Sequence, residues 1–210
     1  AVQGVKDISE ILDDIDCAII ATPTLHHFEV AQTLLHAGKH LLIEKPISVE
    51  IVQANELIAL AESKQLVLQV GHVERFNPAF SAVAKHVSAP TFIDAVRTSN
   101  YSFRSTDIGV TLDLMIHDID LVLSLVDSPI ATVNAAGSVV IGPHEDIANA
   151  CLTFENGTLA NLTASRVNSE PQRTMQIEGQ QGSAKIDFLA STAYTIGYRE
   201  DAKTLRNDLP

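Results

Sequence analysis

The chain has 210 residues, of which 46% are hydrophobic and 19% charged, with a formal net charge of −12. That is enough apolar content for one large cored domain or two small ones, and no tract is of low complexity. The acidic balance argues against nucleic acid, whose affinity needs clustered Lys and Arg. No apolar run is long enough to span a bilayer and no signal-peptide pattern opens the chain, so a cytoplasmic protein without a membrane partner is expected. Cys17 and Cys151 lie far apart in apolar runs without CxxC spacing, and are expected to be reduced core thiols.

The first seventy residues alternate strand and helix. "DISEILDDID" (7–16) has an acidic, capped helical start, with Ile8, Ile11, Leu12 and Ile15 at helical spacing. "CAIIA" (17–21) reads as a strand buried on both faces. A helix over 26–38 closes at Gly38, expected as a left-handed cap. A short strand follows at 40–44, then a helix over 49–63 with Ser48 as its expected N-cap, then a strand at 66–71. Short alternation of this kind implies parallel strands with helical crossovers. Ligands of such sheets bind beyond the carboxyl ends of the strands. The loops leaving those ends are "TPTLHH", "EKPIS" and "GHVERFNP".

After residue 90 the pattern changes. Strands are predicted at 91–99, 131–140, 146–166 (a hairpin turning at Asn156-Gly157), 173–179 and 183–188, with one helix at about 109–127. These strands are expected to be antiparallel. The fold class is therefore α/β: a partial Rossmann-type parallel sheet over 1–71, then an α+β domain with a mainly antiparallel sheet over 72–210.

The helix at 109–127 contains "LDLMIHDIDL" (112–121). Projected at 100° per residue, Asp113, His117, Asp120 and Ser124 form a narrow polar stripe between two apolar faces. Ionisable groups in a buried helix must be paired or line a cavity. Asp113 and His117 are one turn apart; a carboxylate beside an imidazole raises its proton affinity and suits a proton acceptor near neutral pH. The same spacing equally describes a buried pair that only ties helix to sheet. Lys45, at a strand's carboxyl end, is placed either to donate to a substrate hydroxyl or to sit in solvent; a cis bond before Pro46 would aim it rigidly.

Taken together, "ATPTLHH", "AGKHLLIEKPIS", "VGHVERFNPAF" and "LDLMIHDIDL", in that order, resemble the glucose–fructose oxidoreductase, inositol dehydrogenase and MocA family of NAD(P)-dependent sugar dehydrogenases. The form is most similar to a bacterial subgroup that includes UDP-N-acetylglucosamine 3-dehydrogenases. The resemblance implies oxidation of a secondary alcohol of a sugar or nucleotide sugar, with NAD or NADP as cofactor. It also implies that Lys45 and His117 flank the reacting carbon, with Asp113 completing the catalytic group. Glu44 and Pro46 would border the nicotinamide ribose, Thr22, Pro23 and His27 the dinucleotide, and Arg75 and Asn77 the nicotinamide end.

The family's opening strand and GxGxxG turn have no counterpart here, before residue 7 or after it. By analogy roughly sixty residues, including the first βαβ unit and the acidic residue that selects NAD or NADP, are expected to precede this sequence. "GQQGS" (179–183) is expected as a hairpin turn. A rival reading is a non-catalytic sensor or scaffold that binds a dinucleotide or sugar; retention of Lys45, Asp113 and His117 weighs against it. Metal binding is disfavoured, because His26 and His27 are adjacent and Gly38 breaks the helix between His36 and His40. Asp120 is expected to tie the helix to its domain. Arg166 is expected either to reach a substrate anion or to form a surface salt bridge. The Ala- and Val-rich "TVNAAGSVVI" suggests a sheet face buried in a homodimer or homotetramer.

Overall fold

The computed structural model describes residues 4–198 except 85, 88 and 104. The chain divides into two compact units, 1–72 and 73–210.

The first unit contains β1 (Cys17–Ile20), α1 (His27–His36), β2 (His40–Glu44), α2 (Ile51–Ser63) and β3 (Leu68–Gly71). The strands form one parallel sheet in the order β1-β2-β3. Ile20, Leu41 and Ile43 pack with Ala31, Leu34 and Leu35 of α1 and Leu57 and Ala61 of α2. Gly38 has φ 76°, and the amides of Gly38 and Lys39 close the end of α1 on Leu35 and Leu34 carbonyls.

Four local expectations change. Residues 8–14 form two single 3₁₀ turns with a capping box between Asp7 and Glu10, since so short a segment cannot nucleate a lasting α-helix. α2 opens after Glu50, which makes no side-chain cap; the Ser48 hydroxyl instead donates to the Glu50 carbonyl. β1 is not buried on both faces: helices cover one side, and Ile19 is 74% exposed on the other. Cys17, at the start of this edge strand, is exposed rather than a core thiol, and Cys151 is only half-buried.

The second unit contains α3 (Pro78–Ala84), β4 (Pro90–Thr98), a π-helical turn (Thr111–Met115) running into α4 (Ile116–Leu125), and β5 to β10. The latter strands are β5 (Ile130–Ser138), β6 (Ile147–Phe154), β7 (Leu159–Ser165), β8 (Gln172–Gly179), β9 (Gly182–Asp187) and β10 (Thr192–Gly197). Their order is β10-β9-β8-β4-β7-β6-β5. All neighbours are antiparallel except β4 and β7, which run parallel in the middle of the sheet. The turn at Asn156-Gly157 joins β6 to β7, with Gly157 at φ 87° and the Asn156 side chain accepting from the Thr158 amide. The segment 179–183 is the β8–β9 turn, as the sequence implies.

α3 and α4 pack on one face of this sheet over alternating small and branched residues such as Ile93, Ala95, Leu162, Met175 and Ile186. α3 is absent from the sequence reading, which takes "ERFNP" for a loop. Its signals are local: Asn77 accepts from the Ala79 amide at 3.0 Å as a cap, and Pro78 occupies the first helical position. Among the described residues no helix is long and apolar enough to cross a membrane.

Candidate active site

In the first unit the predicted residues cluster at the carboxyl ends of the parallel strands. Thr22 and Pro23 leave β1 and are exposed. His27 begins α1 and is 1% exposed; its Nδ1 lies 2.8 Å from the Pro46 carbonyl and its Nε2 2.9 Å from the Thr22 carbonyl. The ring is therefore a strut between the loop after β1 and the loop after β2. The Lys45–Pro46 bond is cis. Glu44 ends β2 and pairs in register with Gly71, the last residue of β3. A Cβ on Gly71 would lie 3.2 Å from the Glu44 carboxylate, so the absent side chain gives Glu44 its place. Lys45 is half-buried and Pro46 buried.

In the second unit, Asp113 lies in the π turn and His117 in the first turn of α4, both half-buried. The π turn changes the expected geometry, because residues 111–115 do not advance by 100° each. Ser124 is exposed, and the buried positions of α4 are Asp118, Asp120, Leu121 and Val122. Glu145 organises the start of the π turn. Its carboxylate accepts from the Thr111 amide at 3.2 Å, and its carbonyl from the Val110 amide at 2.9 Å. Burial pushes the Glu145 carboxyl up, but the hydrogen bonds with Thr111 outweigh it and hold it below the usual range.

Asp120 is a tie within the second unit. It accepts from Arg75 Nε at 2.7 Å and Nη2 at 2.6 Å. Arg75 stands in the 3₁₀ turn Val73–Phe76, and the Asn77 amide group donates to Glu74 at 3.1 Å.

Sequence reasoning overlooks Arg97, Asp118 and Glu74. Arg97 is 2% exposed and forks onto Asp118 with two bonds of 2.9 Å, while its Nη1 donates to Glu74 at 2.9 Å. Burial is the largest influence on Asp118 and pushes its carboxyl up, with the Arg97 donors pulling the other way. Burial likewise works against the Arg97 cation, and its pairing with Asp118 and Glu74 prevails, so its pKa is raised. Period-two alternation makes Arg97 visible: it shares the inward parity of Ile93 and Ala95, and an inward arginine requires acid partners. Arg166 is 4% exposed and pairs with the fully buried Asp146 at 2.7 Å, so its salt bridge is internal rather than on the surface.

A parallel strand–helix unit with polar exit loops, followed in the chain by a helix-backed mixed sheet, defines a Rossmann-type protein with an α+β second domain. Residues 1–72 match the family model described as "Oxidoreductase family, NAD-binding Rossmann fold", and residues 81–185 match the GFO/IDH/MocA C-terminal domain. The chain belongs to the Gfo/Idh/MocA family.

It is 41% identical over 193 residues to UDP-N-acetylglucosamine 3-dehydrogenase of Acidithiobacillus ferrooxidans, covering 91% of this chain and 62% of that protein. A solved structure of that enzyme matches with a TM-score of 0.88 at 39% identity, covering 94% of this chain and 66% of the other. The scyllo-inositol 2-dehydrogenase (NAD(+)) of Bacillus subtilis is 24% identical over 209 residues, covering 91% of this chain and 61% of that protein. The chain thus spans about three fifths of the length of these curated relatives.

Proposed function

We propose that the protein is an NAD(P)-dependent dehydrogenase that oxidises a secondary alcohol of a sugar, most suitably a nucleotide-linked one. The observation that carries this reading is the Glu44–Lys45–Pro46 exit from β2, braced by the buried His27 ring, in a chain that also retains Asp113 and His117. The first unit's residues suit a dinucleotide. Three polar loops leave the carboxyl ends of parallel strands, and Gly71 leaves the Glu44 carboxylate without a competing side chain. The bound cofactor supplies the hydride acceptor.

The chain's own residues divide the remaining work. His117 accepts the hydroxyl proton, with Asp113 supporting the charge that develops on the ring. The Lys45 ammonium stabilises the developing alkoxide. Thr22, Pro23, Glu44 and Pro46 form the dinucleotide side, His27 supports their loops, and Arg75 and Asn77 serve the nicotinamide end. The similarity to a UDP-N-acetylglucosamine dehydrogenase supports a nucleotide sugar as substrate.

The test is reduction of NAD or NADP, followed by absorbance, with a panel of nucleotide sugars and inositols. Lys45→Ala and His117→Ala are each expected to lower kcat by about 10²-fold or more while leaving cofactor affinity within about threefold. Undiminished turnover in either variant removes that residue from the mechanism.

A further inference from the structure

We propose that Arg97 is a positioning residue whose clamp on Asp118 and Glu74 fixes the rotation of α4, and with it the orientation of His117. The inference rests on the role assigned to His117 above. Its geometry lies wholly within the second unit.

Two guanidinium groups hold one helix. Arg97, from β4, binds Asp118 through Nε and Nη2, each at 2.9 Å, and Arg75 binds Asp120 through Nε at 2.7 Å and Nη2 at 2.6 Å. Arg97 Nη1 also reaches Glu74 at 2.9 Å, and Glu74 and Arg75 are consecutive in the turn before α3. The chain of contacts therefore closes on itself: Glu74 to Arg97, to Asp118, along α4 to Asp120, to Arg75 and back to Glu74. The free oxygen of Glu74 is held in turn by Asn77, 3.1 Å away. The ring of Phe188 lies beneath Arg97, 5.6 Å from its guanidinium carbon.

Such a ring is an expensive way to stabilise a helix. Arg97 and Asp118 are 2% and 3% exposed, and the cost of desolvating such a pair often cancels its Coulombic gain. Well-packed apolar residues of similar volume hold sheet to helix equally well. What a bidentate fork adds is direction, because it is satisfied at one rotation of the helix only.

Direction matters most at the start of α4. Residues 111–115 form a π turn, so the helix that follows does not inherit its rotation from a regular α-helical turn before it. His117 is the second residue of α4, and Asp118 follows it at once. A proton acceptor must be held to within a fraction of an ångström, and the clamp sits on the residue next to the imidazole.

The experiment uses the double variant Arg97→Met/Asp118→Leu, which removes both buried charges together and leaves the part-exposed Glu74 to Asn77 and solvent. The chain is labelled with ¹⁵N-histidine, and the His117 ring signals are assigned by their loss in His117→Gln. The double variant is expected to shift or split those signals while the rings of His27, His36 and His40, in the first unit, stay in place. In the same protein kcat falls on the order of tenfold to a hundredfold, with KM for the dinucleotide unchanged.

Arg97→Lys keeps the buried charge but not the fork. It is expected to displace the His117 signals to a lesser degree, and it serves if the double variant does not fold. His117 signals that superpose on those of the wild type in either variant overturn the proposal. So does a double variant with undiminished kcat. If the wild type reduces neither NAD nor NADP with any sugar, the dehydrogenase reading fails, while the ring signals still decide whether the clamp positions His117.

Discussion

Asp146 is fully buried, and four donors converge on its carboxylate. The amides of Val140, Ile141 and Gly142 bind Oδ2 at 2.8, 2.6 and 3.1 Å, and Arg166 Nε binds Oδ1 at 2.7 Å. Gly142 lets the loop close this tightly, since a Cβ there would lie 3.1 Å from the Tyr101 hydroxyl and 3.2 Å from Arg166 Nη2. The Ile141 amide, and then Arg166 with the other amides, hold the carboxyl well below its ordinary 3.8 despite burial. A carboxyl depressed in the folded state binds its proton more readily once unfolded. Its contribution to stability is therefore complete above the unfolded value and lost as pH falls through and below that value. Asp146→Asn is expected to unfold at lower temperature than the wild type at pH 7, and the gap is expected to narrow below about pH 4. Thermal unfolding of both proteins across pH 3–7 reads this directly; a gap that widens toward acid would contradict the assignment. The internal partner of Arg166 was hidden in the sequence for a plain reason: Asp146 is twenty residues away across a hairpin, and nothing in local spacing announces the pairing.

Elements were legible in proportion to their periodicity. β2, β3, α1 and the β6–β7 hairpin follow from short apolar runs, a Gly cap and an Asn-Gly turn. The helix at 109–127 was also legible, but not its first turn. A π turn leaves no mark in hydrophobic spacing; here Glu145, distant in sequence, binds the amides at its N-terminal end. A Cβ on Gly109 would collide with the Glu145 carboxylate, so the glycine makes room for the acid that receives the Thr111 amide. The residues proposed for the site come from family motifs, as at Glu44–Lys45–Pro46 and Asp113–His117. Arg97 and Asp118, proposed above as their supports, required knowing which face of β4 and α4 turns inward. These relations predict a coupled pair. Gly109→Ala displaces the Glu145 carboxylate and Glu145→Ala removes it, each costing about 1 kcal/mol, as for the loss of a helix cap. Because both act on one contact, the double variant is expected to cost well under the sum in urea unfolding. Strict additivity would show that Gly109 serves something other than Glu145.

At the scale of the whole molecule, net charge and one bare strand act in opposition. β5 ends the seven-stranded sheet, and all nine of its residues are exposed. Among the described residues no strand pairs with its outer edge, and Val133 and Val139 are 59% and 60% exposed. Between β5 and the start of α4 lies an apolar hollow of about 600 Å³, lined by Met115, Ile119, Val133, Ala135 and Val139. A second copy of this chain is the expected cover for the exposed valines, with β5 at or beside the contact. A homodimer, or a homotetramer built from it, is therefore expected. The net charge of −12 means that two copies repel each other, so association is expected to tighten as salt rises, through screening and through strengthened apolar contact. Val133→Lys places a cation in the hollow and is expected to raise the dissociation constant by tenfold or more, at a cost of about 1.4 kcal/mol or above. Sedimentation velocity at low and moderate salt separates the cases. A wild-type profile that is monomeric at every salt concentration rules out this edge as a homomeric contact, and one that dissociates on adding salt shows that charge rather than apolar burial holds the copies together.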